Sequence, residues 1–506
     1  MTTDPCEFSA VEARRLIGRK ALSPVELLES CLRRVEAVNP AVNAVVALDP
    51  ERARAAAREA EAAVMRGGEF GPLHGLPVGI KDLEEVAGLR TTYGSPIFRD
   101  FVPEADCGMV ARIRAAGGVI LGKTNTPEFG AGANTRNAVY GATGNPFDPT
   151  RSAAGSSGGS AAALATGMAP LCSGSDTGGS LRNPAAFCGI VGFRPSAGLV
   201  PNEKRPLGWS CLPVLGPMAR NVPDTALLLS AMASDHSADP LAYTLHARPV
   251  RGREALFHPV RQLDPSSFSM AFSEDFGQVP VEETVRAAFR KVVAAASKLF
   301  RHGAEAHPDC TDGDMAFEVL RAGQFLHAHG DKVRTRPEDV GPNVHANVEE
   351  GLRYSLQDHI RAAAAQTRIY RDFQRFFGQW DVLLTPAITI SPRPWRELYP
   401  TAIEGQRTRT YFHWLALAYY VTLTGHPAVS LPVGIDAKGM PFGLQIVGPR
   451  GGDAFVLGVA AALEEALASD PELRRPVPDI AALRAAPPIS GMEGSSASAE
   501  AAADYQ

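Results

Sequence analysis

Two serine- and glycine-dense stretches decide how this chain is read: Arg151-Ser-Ala-Ala-Gly-Ser-Ser-Gly-Gly-Ser160 and Gly174-Ser-Asp-Thr-Gly-Gly-Ser-Leu-Arg182. Ser156 and Ser180 stand 24 positions apart, and Gly79-Ile-Lys-Asp82 lies well upstream. Small residues at this density let backbone N–H groups approach a bound molecule closely, and glycine lifts the steric bar to unusual φ/ψ. A hydroxyl in such a loop can serve as a nucleophile while neighbouring amides hold an oxyanion. The two loops carry no base of their own. Lys81 is the candidate.

The 506 residues are ample for a large core, and α/β chains of this length often fold as one unit. Apolar residues make up 45% and charged residues 21%, so most of the chain is expected to be globular. The net charge is −5, with no basic stripe among the aromatics, which argues against nucleic acid as a partner. Seven dispersed cysteines (Cys6, Cys31, Cys107, Cys172, Cys188, Cys211 and Cys310) form no CxxC pair, so neither a zinc ribbon nor a disulfide framework is indicated. The first residues have no basic or apolar leader pattern, and no apolar run of about 18 residues occurs. A cytoplasmic protein without a membrane partner is therefore expected.

Residues 7–66 read as helical, with Ser23-Pro24 and Glu26 opening a helix over 25–38 and an Ala/Arg/Glu-rich helix over 51–65. From Pro72 to about Thr225, short apolar runs alternate with Gly-rich loops. Leu76 to Ile80 and Gly118 to Leu121 read as buried strands, with a helix from Val110 to Ala116 between them. Residues 232–268 are rich in Pro, His and Asp and read as a long surface connection. Helices are expected over 281–300 and 351–377, and strands over 381–384, 428–431 and 443–447. Strands alternating with helices predict an α/β fold, a mixed sheet sandwiched by helices.

Two motifs mislead. Gly117-Gly-Val-Ile-Leu-Gly-Lys-Thr124 matches the P-loop pattern, but strand-formers fill its loop positions and a helix precedes it. Gly155-Ser-Ser-Gly-Gly159 matches the G-x-S-x-G elbow centred on Ser157, yet loop precedes it in place of a strand. The available histidine, His426, sits in Thr-Gly-His-Pro, where a turn role fits better than a Ser-His-Asp triad.

The segment Leu73 to Pro195 resembles the amidase signature family of amide hydrolases. The matching stretches are Gly75-Leu-Pro-Val-Gly-Ile-Lys-Asp82, Gly122-Lys-Thr-Asn-Thr-Pro-Glu-Phe129, Gly141-Ala-Thr-Gly-Asn-Pro146 and the two serine-rich loops. Weaker matches return at Leu384-Thr-Pro386, Thr424-Gly-His-Pro-Ala-Val-Ser-Leu-Pro432 and Gly439-Met-Pro-Phe-Gly-Leu-Gln-Ile-Val447. The resemblance implies a Ser–cis-Ser–Lys triad with Ser180 as nucleophile, Ser156 as bridging serine and Lys81 as base. A lysine takes a proton only when neutral, and burial beside hydroxyls, away from carboxylates, would make it so. The backbone amides of Thr177, Gly178, Gly179 and Ser180 would form the oxyanion hole.

Ser157 and Thr150 are expected to add hydrogen bonds around Lys81. Asp176 and Arg182 read as a supporting ion pair, with a substrate carboxylate as the other partner open to Arg182. Trp209, Phe129 and Tyr93 are available to an apolar pocket, although a chain this long has aromatics to spare. The organisation implied is a helical segment over 1–66 packing on a catalytic domain at 67–484, then a disordered low-complexity tail at 485–506. Within the catalytic domain, 73–225 would be the signature core and 232–380 a variable, substrate-shaping region.

The function implied is cleavage of an aryl or alkyl carboxamide C–N bond through an acyl-enzyme, on a scaffold that also serves esters and carbamates. The partner would be a small-molecule amide, with no metal and no organic cofactor, and a homodimer is an assembly the resemblance allows. The alternative is the glutaminase (A) subunit of a tRNA-dependent amidotransferase. Arg182-Asn-Pro184 departs from the Arg-Gln-Pro expected of that subfamily.

Overall fold

The computed structural model describes residues 4–242 and 257–493. Eleven strands form one mixed sheet: β1 (Val45–Leu48), β2 (Pro77–Lys81), β3 (Val119–Thr124), β4 (Leu171–Asp176), β5 (Val191–Arg194), β6 (Val214–Ala219), β7 (Ser269–Phe272), β8 (His302–Glu305), β9 (Val382–Pro386), β10 (Ala428–Ile435) and β11 (Pro441–Val447). Their spatial order is β1-β3-β2-β4-β6-β5-β10-β11-β9-β7-β8. Parallel pairing is confined to two groups, β3-β2-β4 and β9-β7-β8; the other neighbours are antiparallel. Helices flank this sheet in a single α/β domain, as the alternation of patterns predicts.

Every residue of β2 and β3 is buried, which is why both read as continuous apolar runs and not as alternating ones. Gly79 is required in β2: a Cβ there would lie 2.8 Å from the Cys172 sulfur and 3.2 Å from Thr124 Cγ2.

The N-terminal segment is not wholly helical. Helix α1 (Pro24–Val42), with its Ser23/Glu26 capping box, and α2 (Pro50–Arg66), capped by Asp49, enclose β1. That short strand pairs antiparallel with β3 and so joins the segment to the sheet. Four residues between two strong helical patterns are too few for a period-2 signal to emerge.

The serine-rich loops lead into two buried helices, α3 (Gly158–Ala165) and α4 (Arg182–Cys188). A long helix not anticipated from sequence, α5 (Gly313–Thr335), follows. The single helix expected over 351–377 is two, α6 (Pro342–Arg353) and α7 (Leu356–Phe377). The chain leaves helical conformation at Tyr354, and Ser355 restarts it through a capping box with Asp358. Helix α8 (Ala416–Thr424) is buried throughout.

Part of the expected disordered tail is ordered. Through residue 493 the chain packs on the domain, with Ile489 buried against Ala142 and Trp395. Residues 494–506, like 243–256 of the expected surface connection, lie outside the described residues.

Candidate active site

Lys81 closes β2 and Asp176 closes the adjacent parallel strand β4, so both project from the carboxyl edge where open α/β sheets gather their chemistry. Lys81 is fully buried. Its Nζ lies 2.7 Å from Ser156 Oγ, 2.9 Å from Ser157 Oγ and 2.9 Å from Ser175 Oγ, and its backbone N–H donates to Ser173 Oγ at 3.0 Å. Burial pulls its pKa from 10.5 down to about 7, against weaker opposing pulls from Glu84 and Asp176. Ser157 is also the N-cap of α3, whose positive end further disfavours an ammonium there.

The neighbouring Asp82 is not the partner of Lys81. It accepts from Thr92 Oγ1 at 2.6 Å and pairs at 3.4 Å with Lys123, a second fully buried lysine. The two lysines differ in one decisive respect. Lys123 has a carboxylate beside it, whereas Lys81 forms no ion pair among the described residues.

Ser156 follows a cis peptide bond from Gly155. Ser180 sits in the turn between β4 and α4, partly exposed, and opens onto the same cleft as Ser156 and Ser175. Asp176 shapes that turn. It accepts from the backbone N–H of Gly179 at 2.9 Å and of Leu181 at 3.2 Å, and it pairs with Arg182 and Arg194 at 2.9 and 3.0 Å. Burial alone would raise its pKa. The two guanidinium groups outweigh that and hold the carboxyl well below the usual carboxylate range. Gly179 has φ 104°, and a Cβ there would lie 2.5 Å from Ala418 Cβ, so no larger residue fits the turn.

The cleft holds about 510 Å³ of empty space, part of it open to solvent. Its polar end is built by Ser156, Ser175, Thr177, Gly178 and Ser180, and its walls by Leu83, Phe129, Phe317, Phe325, Phe412 and Leu415. Arg321 and Tyr411 also line it. Among the described residues no group of three or more His, Cys, Asp or Glu side chains is placed to hold a metal ion, and no helix is long and apolar enough to cross a membrane.

The Amidase family profile matches residues 26–457. The chain belongs to the Amidase family. An acylamidase of Rhodococcus erythropolis is 34% identical over 466 residues, which cover 90% of this chain and 95% of the relative. The glutamyl-tRNA(Gln) amidotransferase A subunit of Picosynechococcus sp. is 35% identical, covering 89% of this chain and 96% of the relative. Among solved structures, a bacterial aryl acylamidase of the amidase signature family superposes with a TM-score of 0.82 at 27% identity, covering 91% and 96% of the two chains. The 6-aminohexanoate cyclic dimer hydrolase with its substrate gives 0.81 at 28% identity, covering 94% and 100%. The chain is thus an amidase signature hydrolase.

Within this Amidase-family chain the fold gathers Lys81, Ser156, Ser157 and Ser180 at one end of the cleft. Three expectations change, while the ion pair expected between Arg182 and Asp176 is present. Gly179, expected in the oxyanion hole, donates its N–H to Asp176, which leaves the amides of Thr177, Gly178 and Ser180 along the cleft. Arg182 spends all five N–H donors on Asp176, Thr422 Oγ1, the Ala418 carbonyl and Gln445 Oε1, so it is an internal tie with nothing left for a substrate carboxylate. Thr150 bonds Asp148 at 2.6 Å in an exposed strand of a small hairpin, and its place beside Lys81 is taken by Ser175. Of the three spare aromatics, Phe129 lines the cleft, Trp209 is 81% exposed and Tyr93 donates to Glu85.

His426 is buried between Thr424 Oγ1 and Gln374, and burial pulls its pKa down to about 3, so it stays neutral in the core. Sequence reading missed Ser175 and Lys123. The signal for Ser175 was its place two residues after Ser173 in β4, on the same face of the strand.

Proposed function

We propose that this amidase signature hydrolase cleaves aryl or alkyl carboxamides through an acyl-enzyme on Ser180, with Ser156 and Lys81 relaying the proton. One observation carries the reading: a fully buried lysine without a carboxylate partner, held near neutrality, with its Nζ 2.7 Å from Ser156 Oγ at the end of a cleft that Ser180 shares. A neutral amine has two N–H donors and one lone pair. Ser157, whose own O–H faces the Ser175 carbonyl at 3.4 Å, accepts one donor, and Ser175 Oγ accepts the other. The lone pair then accepts the Ser156 proton, which leaves a Ser156 lone pair for the proton of Ser180 as it attacks.

The tetrahedral oxyanion is met by the free amides among Thr177, Gly178 and Ser180, fixed in place by Asp176. On collapse the proton returns through Ser156 to the leaving amine, and water repeats the cycle on the acyl-enzyme. The aromatic walls of the cleft favour apolar acyl or aryl groups over glutamine.

The test is labelling with a fluorophosphonate followed by peptide mass spectrometry. An adduct on Ser180 that is lost in Lys81→Ala, together with hydrolysis of 4-nitroacetanilide, is expected. An adduct on Ser157 would overturn the assignment. The relatives that are amidotransferase A subunits support a second reading. Under it, ammonia release would be specific for glutamine and would rise with a partner protein, while anilides would be left intact.

A further inference from the structure

Helix α5 presents Phe317, Arg321 and Phe325 at four-residue spacing along the cleft. Phe317 packs at the Gly178 end, where a Cβ on that glycine would lie 3.2 Å from the ring. At the other end His329 stacks on Phe129 with ring centroids 4.4 Å apart. Arg321 sits one turn, about 6 Å of rise, beyond Phe317. Its guanidinium lies 4.4 Å from the Phe325 ring centroid and 5.1 Å from that of Phe412.

Only 6% of Arg321 is exposed, yet no carboxylate among the described residues forms an ion pair with it. A hydrogen bond holds the group, from Nη2 to the Tyr411 hydroxyl, which also accepts from Asn347 Nδ2 at 2.5 Å. The buried Nε has no hydrogen-bond partner. The titratable groups that feel this charge are Glu350, whose pKa burial raises and Arg321 lowers, and His329, which burial, Lys332 and Arg321 keep neutral. The contrast with Arg182, which uses every donor inside the protein, is sharp.

A buried cation with unused donors facing a cleft is costly unless a ligand completes it. We infer that Arg321 is the specificity-determining residue for a carboxylate on the substrate, so that the natural amide is anionic, with an apolar or aromatic body between its carboxylate and the scissile bond. The inference rests on the amide-hydrolase reading above. The guanidinium would donate to the carboxylate through its free N–H groups, and the phenylalanine walls would exclude water from the pair.

The experiment compares matched substrates in wild type, Arg321→Met and Arg321→Lys. On the acyl side, the succinyl, glutaryl and adipoyl 4-nitroanilides are set against the butanoyl, pentanoyl and hexanoyl ones. On the amine side, 4-acetamidobenzoate is set against acetanilide. Wild type is expected to prefer at least one carboxylated member by about tenfold or more in kcat/KM, the loss of one charge-assisted hydrogen bond being of that size. R321M should erase the preference through KM, and R321K should restore part of it.

Thermal melting of each variant separates a fold defect from lost recognition. Calorimetric binding of 4-acetamidobenzoate to Ser180→Ala, with and without R321M, reads the anchor without turnover. A wild type with no preference for any carboxylated member, or a preference equal in R321M, overturns the inference. Equal binding in the two Ser180→Ala backgrounds does the same. Absence of a Ser180 adduct while Arg321-dependent binding persists would instead overturn the catalytic reading alone.

Discussion

If Lys81 is the base, activity must follow its neutral fraction. With a pKa of about 7, the lysine is about nine-tenths neutral at pH 8 and about one-tenth at pH 6. An ordinary lysine at 10.5 would be neutral to less than about 1% even at pH 8. kcat/KM for 4-nitroacetanilide at constant ionic strength should therefore rise about tenfold per pH unit up to pH 7 and level off above it. The rate of fluorophosphonate inactivation should trace the same curve, since that reagent needs no proton returned to an amine. A profile still climbing tenfold per unit beyond pH 9, or flat down to pH 5, would refute the argument that burial among hydroxyls sets this base.

The same shift has a cost in stability, with a defined sign. The folded-state pKa lies below the unfolded one, so between about pH 7 and 10.5 the unfolded chain holds more protons and stability rises with pH. Below pH 7 both states are protonated and the full penalty stands, on the order of 5 kcal/mol. Lys81→Met should remove this pH dependence from urea midpoints measured between pH 7 and 10.

Three further substitutions probe neighbouring parts of the site. Burial pushes Glu84 up to about 7, so it titrates in the same window, and its charge raises the pKa of Lys81. Glu84→Gln should keep the kinetic break but move it to lower pH, whereas loss of the break would assign it to Glu84. Asp176→Asn leaves Arg182 and Arg194 buried without a counter-charge, and should lower unfolding free energy in urea by about 3–5 kcal/mol along with most activity. Gly179→Ala puts a Cβ 2.5 Å from Ala418 Cβ at φ 104°, so it should lower kcat more than it raises KM for the anilide. Unchanged kcat would show that the turn does not position the reacting groups.

Much of the candidate site was legible before any fold was known. Lys81, Ser156 and Ser180 stand in short, ordered, glycine-rich motifs, because close backbone approach to a substrate leaves a compositional trace. The strands β2 and β3 were equally plain, since burial on both faces demands continuous apolar residues. Other parts left no such trace. β4 reads as loop because its Ser and Gly residues serve the site and not the core, and β1 is too short to show a period.

What only the tertiary structure decided is which buried polar group meets which. Asp82 adjoins Lys81 in sequence but pairs with Lys123, 41 positions away, because β2 and β3 run side by side. Ser175 reaches Lys81 across the β2–β4 pair, and the Gly179 amide is spent on Asp176. Arg182, beside the candidate nucleophile, is satisfied internally, whereas Arg321, 141 positions beyond Ser180, faces the cleft with donors to spare. A local motif specifies the residue types that chemistry requires. Long-range packing alone determines whether each buried charge finds its partner within the protein or is left for a substrate to complete.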